Sequence, residues 1–341
     1  MTSRLVAAAA CLIVTLAVPG LGAPARPPLP GADAVVTAML AAPTLVDYEG
    51  TKVLSAVRGD RAETVTVLEA YKRMGKVRLE FLSPESVGGR LIVDDGASFW
   101  QYEPSHHLVI RGPSFVHPPG GPTLAQDVRR SSLVAVLGIE EVIGRQTVVV
   151  AMEPQAGGSS RRYWVDRATG VTLRTEERDS TGEIVFTSFF TRISFGLNLP
   201  SALFRFNTPS GARVVSFYLS GDPLDSPEAL RRAAGFGATM PASLPYGYRF
   251  RGGSLVRHGA LTAVSTSYTD GIRVLTVFQT PSSGMAFPQV GSPMPLETAD
   301  ARLLDLGYFR VLLWQSRGLN VALAGSLPAA ALVVIADEIN R

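Results

Sequence analysis

Turn signals at short intervals, each set between runs of alternating apolar and polar residues, constrain this chain more than any other feature. Asp94-Asp95-Gly96 separates 90–93 from 98–102, Arg167-Ala168-Thr169-Gly170 separates 161–166 from 171–175, and Asp179-Ser180-Thr181-Gly182 leads into 183–193. Such Asp- and Gly-rich segments supply the local hydrogen bonds and positive φ that tight turns demand. Val65 and Val67, and then Val77, Leu79 and Phe81, alternate with polar neighbours, the period of a strand with one buried face. Residues 48–195 therefore read as consecutive antiparallel hairpins, and a meander of that size must curl.

Two helices are available to cover one face of that sheet. Val35, Val36, Met39 and Leu40 recur at helical spacing after Asp33 and stop at Pro43. Thr123 with Gln126 makes a capping-box signature ahead of Leu124, Val128, Leu133, Val136 and Leu137, with Gly138 as the stop. Covering helices leave an apolar interior between themselves and the sheet.

A Pro-, Asp- and Gly-rich stretch at 219–228 marks a linker, followed by a short helix at 227–234. Strands are expected at 248–256, 261–268 and 272–280, with a hairpin of 309–315 and 319–324 around Ser316-Arg317-Gly318. Residues 281–296, rich in Pro, Gly and Ser, read as a loop. Pro328 opens a last helix carrying Leu332, Ile335, Ala336 and Ile339. The expected fold class is α+β: a curved antiparallel sheet covered by helices over 31–218, a linker at 219–239, and a smaller α+β domain with its own antiparallel sheet over 240–341.

The N-terminus reads as a leader. After Arg4 the chain is uncharged from Leu5 to Val18, Pro19-Gly20 breaks it, and Ala23-Pro24-Ala25 offers small residues for cleavage after Ala23 or Ala25. The apolar run is shorter than the ~20 residues of a membrane span, so 1–23 is expected to be a signal peptide that delivers an exported chain. Cys11, the only cysteine, would leave with it, and the mature chain would hold neither disulfide nor thiolate metal site. A net charge of +3, without a concentrated basic stripe, argues against a nucleic-acid partner.

No set of residues converges on catalysis. The chain lacks a Gly-x-Ser-x-Gly elbow, a phosphate-cradling Gly-x-x-x-x-Gly-Lys and a His-Glu-x-x-His, and shows no cofactor signature. His106, His107 and His117 have no carboxylate at a supporting spacing, and adjacent strand residues point to opposite faces, so no metal site is assigned. Asp94-Asp95 reads as a turn and Glu176-Glu177-Arg178-Asp179 as a solvated sheet edge. The aromatics are more informative. Trp100 and Tyr102 share one face of their strand, while Tyr163 and Trp164 point oppositely. Leu79, Phe81, Trp100, Tyr102 and Trp164 are the residues expected to line an apolar groove for an acyl chain or an extended peptide.

Several segments, in order and spacing, resemble two related families. Phe81-Leu82-Ser83-Pro84-Glu85, then Asp94-Asp95-Gly96 and Trp100-Gln101-Tyr102-Glu103-Pro104, look like a segment of the LolA-like lipoprotein-carrier half-barrels. Val142-Ile143-Gly144-Arg145-Gln146 is similar to that group's Gly-Arg strand, and the stretch from Tyr163 through Trp164-Val165-Asp166 and Thr169-Gly170 to Arg174 resembles its next hairpin. Leu244-Pro245-Tyr246-Gly247-Tyr248, Tyr268-Thr269-Asp270-Gly271 and the run from Leu319 to Pro328 look like the small domain of the MucB/RseB group.

That resemblance implies a LolA-like half-barrel over 31–218 and a partner-binding domain over 240–341. It also implies a periplasmic, non-enzymatic regulator of an envelope stress response. Such a protein binds the exported part of a membrane-spanning anti-sigma factor, shields it from proteolysis, and releases it when acyl chains of lipoproteins or lipopolysaccharide accumulate. The alternative is a LolA-type periplasmic carrier of lipoproteins or lipids, which needs only the groove. A hydrolase finds no supporting residues, and a purely structural role leaves the second domain unexplained.

Overall fold

The computed structural model describes residues 28–341, apart from 59–60, 115–125, 127, 156–158, 180, 217, 259–260, 271–272, 285–290 and 306–309. The expected leader, His117 and the start of the second expected helix lie outside the described residues.

Two sheets organise the chain. After helix α1 (Ala32–Leu45) come β1 (Tyr48–Arg58), β2 (Arg61–Lys72), β3 (Lys76–Ser83), β4 (Leu91–Asp94), β5 (Ser98–Glu103) and β6 (Leu108–Pro113). There follow β7 (Ser132–Val142), β8 (Arg145–Pro154), β9 (Ser160–Asp166), β10 (Thr172–Arg178), β11 (Ile184–Phe195) and β12 (Arg213–Ser216). These twelve form one sheet in the order β12-β6-β5-β4-β3-β2-β1-β11-β10-β9-β8-β7. The sheet is curved and unclosed, and only the β12–β6 pairing is parallel. It is two meanders joined where β1 pairs with β11, so the ends of the described meander sit at its centre.

The second sheet begins with β13 (Tyr218–Leu224), followed by helix α2 (Pro227–Ala234) and β14 (Ser243–Leu244). Then come β15 (Tyr248–His258), β16 (Leu261–Thr269), β17 (Val274–Pro281), β18 (Ser292–Pro295), β19 (Asp300–Asp305), β20 (Arg310–Ser316) and β21 (Leu319–Gly325), and helix α3 (Ala329–Asn340) closes the chain. Strand order is β13-β15-β16-β17-β21-β20-β19-β18, with β14 beside β15. Its core gathers Tyr248, Tyr268, Leu275, Leu312, Trp314 and Leu323 under Leu332, Ile335 and Ile339 of α3. A second cluster of Leu230, Met240 and Val264 seats α2.

Four readings of the sequence need correction. Leu133, Val136 and Leu137 are not helical: helix is described at 126 and 128–131, and 132–142 is strand β7. That strand edges the sheet with Leu133 and Leu137 exposed, so apolar residues on both faces mimicked a helical stripe. The stretch expected as a linker, 219–239, supplies most of β13 and all of α2, both built into the second sheet. Within the expected loop 281–296, Ser292–Pro295 pairs with β19, Pro being tolerated there because the strand is an edge. Glu176 and Glu177, expected on a solvated edge, are buried at 5% and 1% exposure: Arg174 and Arg178 of the same strand pair with Glu176, and Arg273, from beside the second sheet, pairs with Glu177.

Candidate functional site on the helix-covered face

Residues directly opposed in antiparallel strands share a face, so the register sorts the first sheet into two surfaces. One carries Val67, Tyr71, Val77, Leu79, Phe81 and Ile92, all buried and packed together. The same surface continues through Phe190 and Leu173, where Ala42 of α1 covers it. At the far end Val148, Val150, Met152, Tyr163 and Val165 lie beneath Val35 and Val36 of α1 and beneath Val128, which has no exposed surface. This is a packed apolar interior between the sheet and the helical segments above it.

Near its middle the interior carries a polar group of residues. Glu69 accepts hydrogen bonds from the Tyr48 hydroxyl at 2.6 Å and from Lys52 Nζ at 3.1 Å. The Lys52 ammonium also sits 4.8 Å from the centre of the Phe190 ring. Burial first, and then the Glu69 charge, raise the Tyr48 pKa well above its ordinary value, so the hydroxyl stays a donor. Gly50 stands between them because a Cβ there would lie 2.5 Å from the Arg192 carbonyl and 2.8 Å from the Phe190 ring. The sequence hid this trio: its members are 17 and 21 residues apart and meet only through strand register.

Of the five expected groove residues, the structure brings two together. Leu79 and Phe81 lie in the apolar interior. Trp100 and Tyr102 point to the opposite surface, because β4 intervenes and Leu79 is opposed through Ile92 to Gln101. There the Trp100 ring stacks on Phe206 at 6.3 Å, beside Arg111, and the Tyr102 hydroxyl meets His107 Nδ1 at 3.2 Å. Leu199 and Phe204 cover the same outer surface over Ala70, held by Lys72 Nζ donating to the Leu199 carbonyl at 2.7 Å. Trp164 is also on the outer surface, on a distant strand, where it donates to Glu140 at 2.7 Å beneath the Arg174 guanidinium. Leu79 and Phe81 thus line one surface, and the three other aromatics line the other.

Polar contacts join the end of the interior to the second sheet. Arg161 and Glu177 face one another on β9 and β10, on the helix-covered surface. Arg161 Nη1 lies 3.0 Å from Asp270 of the second sheet, and Arg273 donates to Glu177 at 3.0 Å. Burial works against the Arg161 charge, but Asp270 overcomes it and the pKa rises. For Arg273, burial and then the neighbouring Arg161 charge lower the pKa. The Ser131 hydroxyl donates to the Asp270 carbonyl at 2.6 Å. Among the described residues, no three His, Cys, Asp or Glu gather to hold a metal ion, and no helix is long and apolar enough to cross a membrane.

No protein-family model matches the sequence, and no curated protein matches it either. Solved structures do match in fold. A crystal structure of MucB aligns over 90% of this chain and 96% of its own at 17% identity, with a TM-score of 0.55. The complex structure of Pseudomonas aeruginosa MucA/MucB aligns over 89% and 96% at 17% identity, with a TM-score of 0.51. A LolA superfamily protein from Nitrosomonas europaea aligns over 51% of this chain at 12% identity and a TM-score of 0.28. Through both sheets, this chain has the fold of MucB.

Proposed function

We propose that this chain is an exported regulator that binds the periplasmic part of a membrane-spanning anti-sigma factor. It lets that partner go when acyl chains of lipoproteins or lipopolysaccharide enter the helix-covered interior, and so controls the partner's proteolysis. The observation that carries this reading is the agreement with MucB across both sheets, together with a MucB structure solved as a complex with MucA. A carrier needs only the first sheet, whereas this chain invests its C-terminal third in a second one. The buried interior of Leu79, Phe81 and Tyr71 supports an acyl ligand, and the Tyr48–Glu69–Lys52 group offers its polar end a partner. Regulation of this kind needs only differential binding between two states.

The test is a cross-linked pull-down of the tagged chain from its own host, with co-purified proteins identified by mass spectrometry. A single-span membrane protein with a sigma-binding cytoplasmic domain is the expected partner. A spread of acylated lipoproteins without it would replace the regulator with a carrier.

A further inference from the structure

Of the four strands that end the two sheet orders, three are blunted. β18 carries Pro293 and Pro295, β13 carries Pro223, and β12 is only four residues long. β7 is different. It ends the first sheet, runs for 11 residues without Pro, Lys or Arg, and among the described residues no strand pairs with its outer side. Leu133 is 63% exposed and Leu137 51%, and Ala135 between them is exposed too, whereas Val134 and Val136 pack inward. An apolar edge of this kind is a template for another strand.

We propose that β7 pairs antiparallel with β7 of a second copy of this chain, about a two-fold axis at Ala135. The sequence is a palindrome there: Leu133-Val134-Ala135-Val136-Leu137 reads the same in both directions. An antiparallel pair centred on Ala135 sets Leu133 of one copy opposite Leu137 of the other, Val134 opposite Val136, and Ala135 opposite itself. The exposed residues then cover one another, and the valines carry the helix-covered surface across the join. The charges fit the same register. Arg129 and Arg130, both exposed, precede the palindrome by as many residues as Glu141 and Glu140, also exposed, follow it. Each pair of arginines therefore meets the glutamates of the other copy, whereas a parallel pairing would set like charges together. A slip of one residue would turn every side chain of the join to the wrong surface. The register shift between Val136 and Gly138 bends β7 beyond this run, so the join is short. It buries little area, and the dimer is a weak, reversible one.

The experiment uses the exported chain carrying Cys11→Ser, so that an introduced cysteine is the only one. Sedimentation equilibrium is expected to show monomers in exchange with dimers. Ala135→Lys, at an exposed position, sets two ammonium groups opposite one another and should weaken the dimer about tenfold. Arg129→Glu should weaken it as well, and adding Glu141→Arg should restore it. Opposed strand residues come within about 5 Å of one another, so on mild oxidation Ala135→Cys should form a disulfide dimer by itself. Leu133→Cys should do so only when mixed with Leu137→Cys. A monomer at every concentration overturns the pairing and leaves the edge to an extended segment of a different protein. A dimer indifferent to Ala135→Lys places the contact elsewhere on the molecule. Leu133→Cys cross-linking to itself as readily as Ala135→Cys rules out the two-fold at Ala135.

Discussion

Arg145 and Asp166 form a two-pronged ion pair across neighbouring strands, Nε to Oδ2 at 2.7 Å and Nη2 to Oδ1 at 3.1 Å. The same carboxylate accepts from the Thr169 hydroxyl and backbone N–H, closing the turn that the Thr169-Gly170 pair announced. Burial alone would raise the Asp166 pKa, but the hydrogen bonds from Arg145 and Thr169 hold it below the ordinary 3.8. A depressed native pKa contributes stability above the unfolded value, and that contribution fades as pH falls through the native one. Asp166→Asn should therefore cost about 2 kcal/mol at neutral pH. In urea titrations the variant and the parent should converge as the pH is lowered below 3.8.

Gly170, in the same turn, has φ +75°, and a Cβ there would lie 2.5 Å from the Ala38 carbonyl oxygen of α1. Gly182 has φ +89° with open space around it. Alanine at 182 meets only the left-handed backbone cost of about 1 kcal/mol. Alanine at 170 must also push α1 off the sheet, and should cost about 3 kcal/mol. Hydrogen exchange separates the two: α1 amides should lose protection in Gly170→Ala and keep it in Gly182→Ala.

Trp314 is the largest fully buried side chain of the second sheet, and its indole N–H donates to Asn340 Oδ1 at 2.8 Å. Trp314→Phe keeps most of the ring contact with α3 and loses the hydrogen bond, for an expected cost of about 1–2 kcal/mol. Trp314→Ala opens a cavity against Leu332 and Ile335 and should cost about 4 kcal/mol. Thermal unfolding should place the alanine variant's midpoint well below that of the phenylalanine variant. Equal midpoints would mean that the hydrogen bond to Asn340 dominates over packing.

What could be read in the sequence was local. The alternation at Val77, Leu79 and Phe81 and the Asp94-Asp95-Gly96 turn each depend on residues within a few positions, and the structure has the strand and the hairpin. In that turn Asp94 accepts from the Gly96 N–H at 2.8 Å. The misreadings arose where long-range pairing decides. Val134 and Val136 turn inward from an edge strand while Leu133 and Leu137 turn to solvent, a pattern that one sequence window cannot tell from a helix. Glu177 looked solvated because its partner, Arg273, is 96 residues away on another sheet. The residues expected to share one groove are divided, since an intervening strand sends Leu79 and Trp100 to opposite surfaces.

That division makes the last prediction. If the helix-covered surface takes the acyl chain, Leu79→Ala removes contact from its floor and should weaken binding of a dansylated fatty acid about tenfold, as one to two lost methylene contacts imply. Trp100→Ala removes the stack on Phe206 from the outer surface and should leave that affinity unchanged. It should instead loosen the 197–206 segment, which limited proteolysis detects as new cleavage there. Reversed effects, with Trp100→Ala abolishing binding and Leu79→Ala neutral, would move the ligand to the outer surface and make Phe206 and Leu199 the cover to displace.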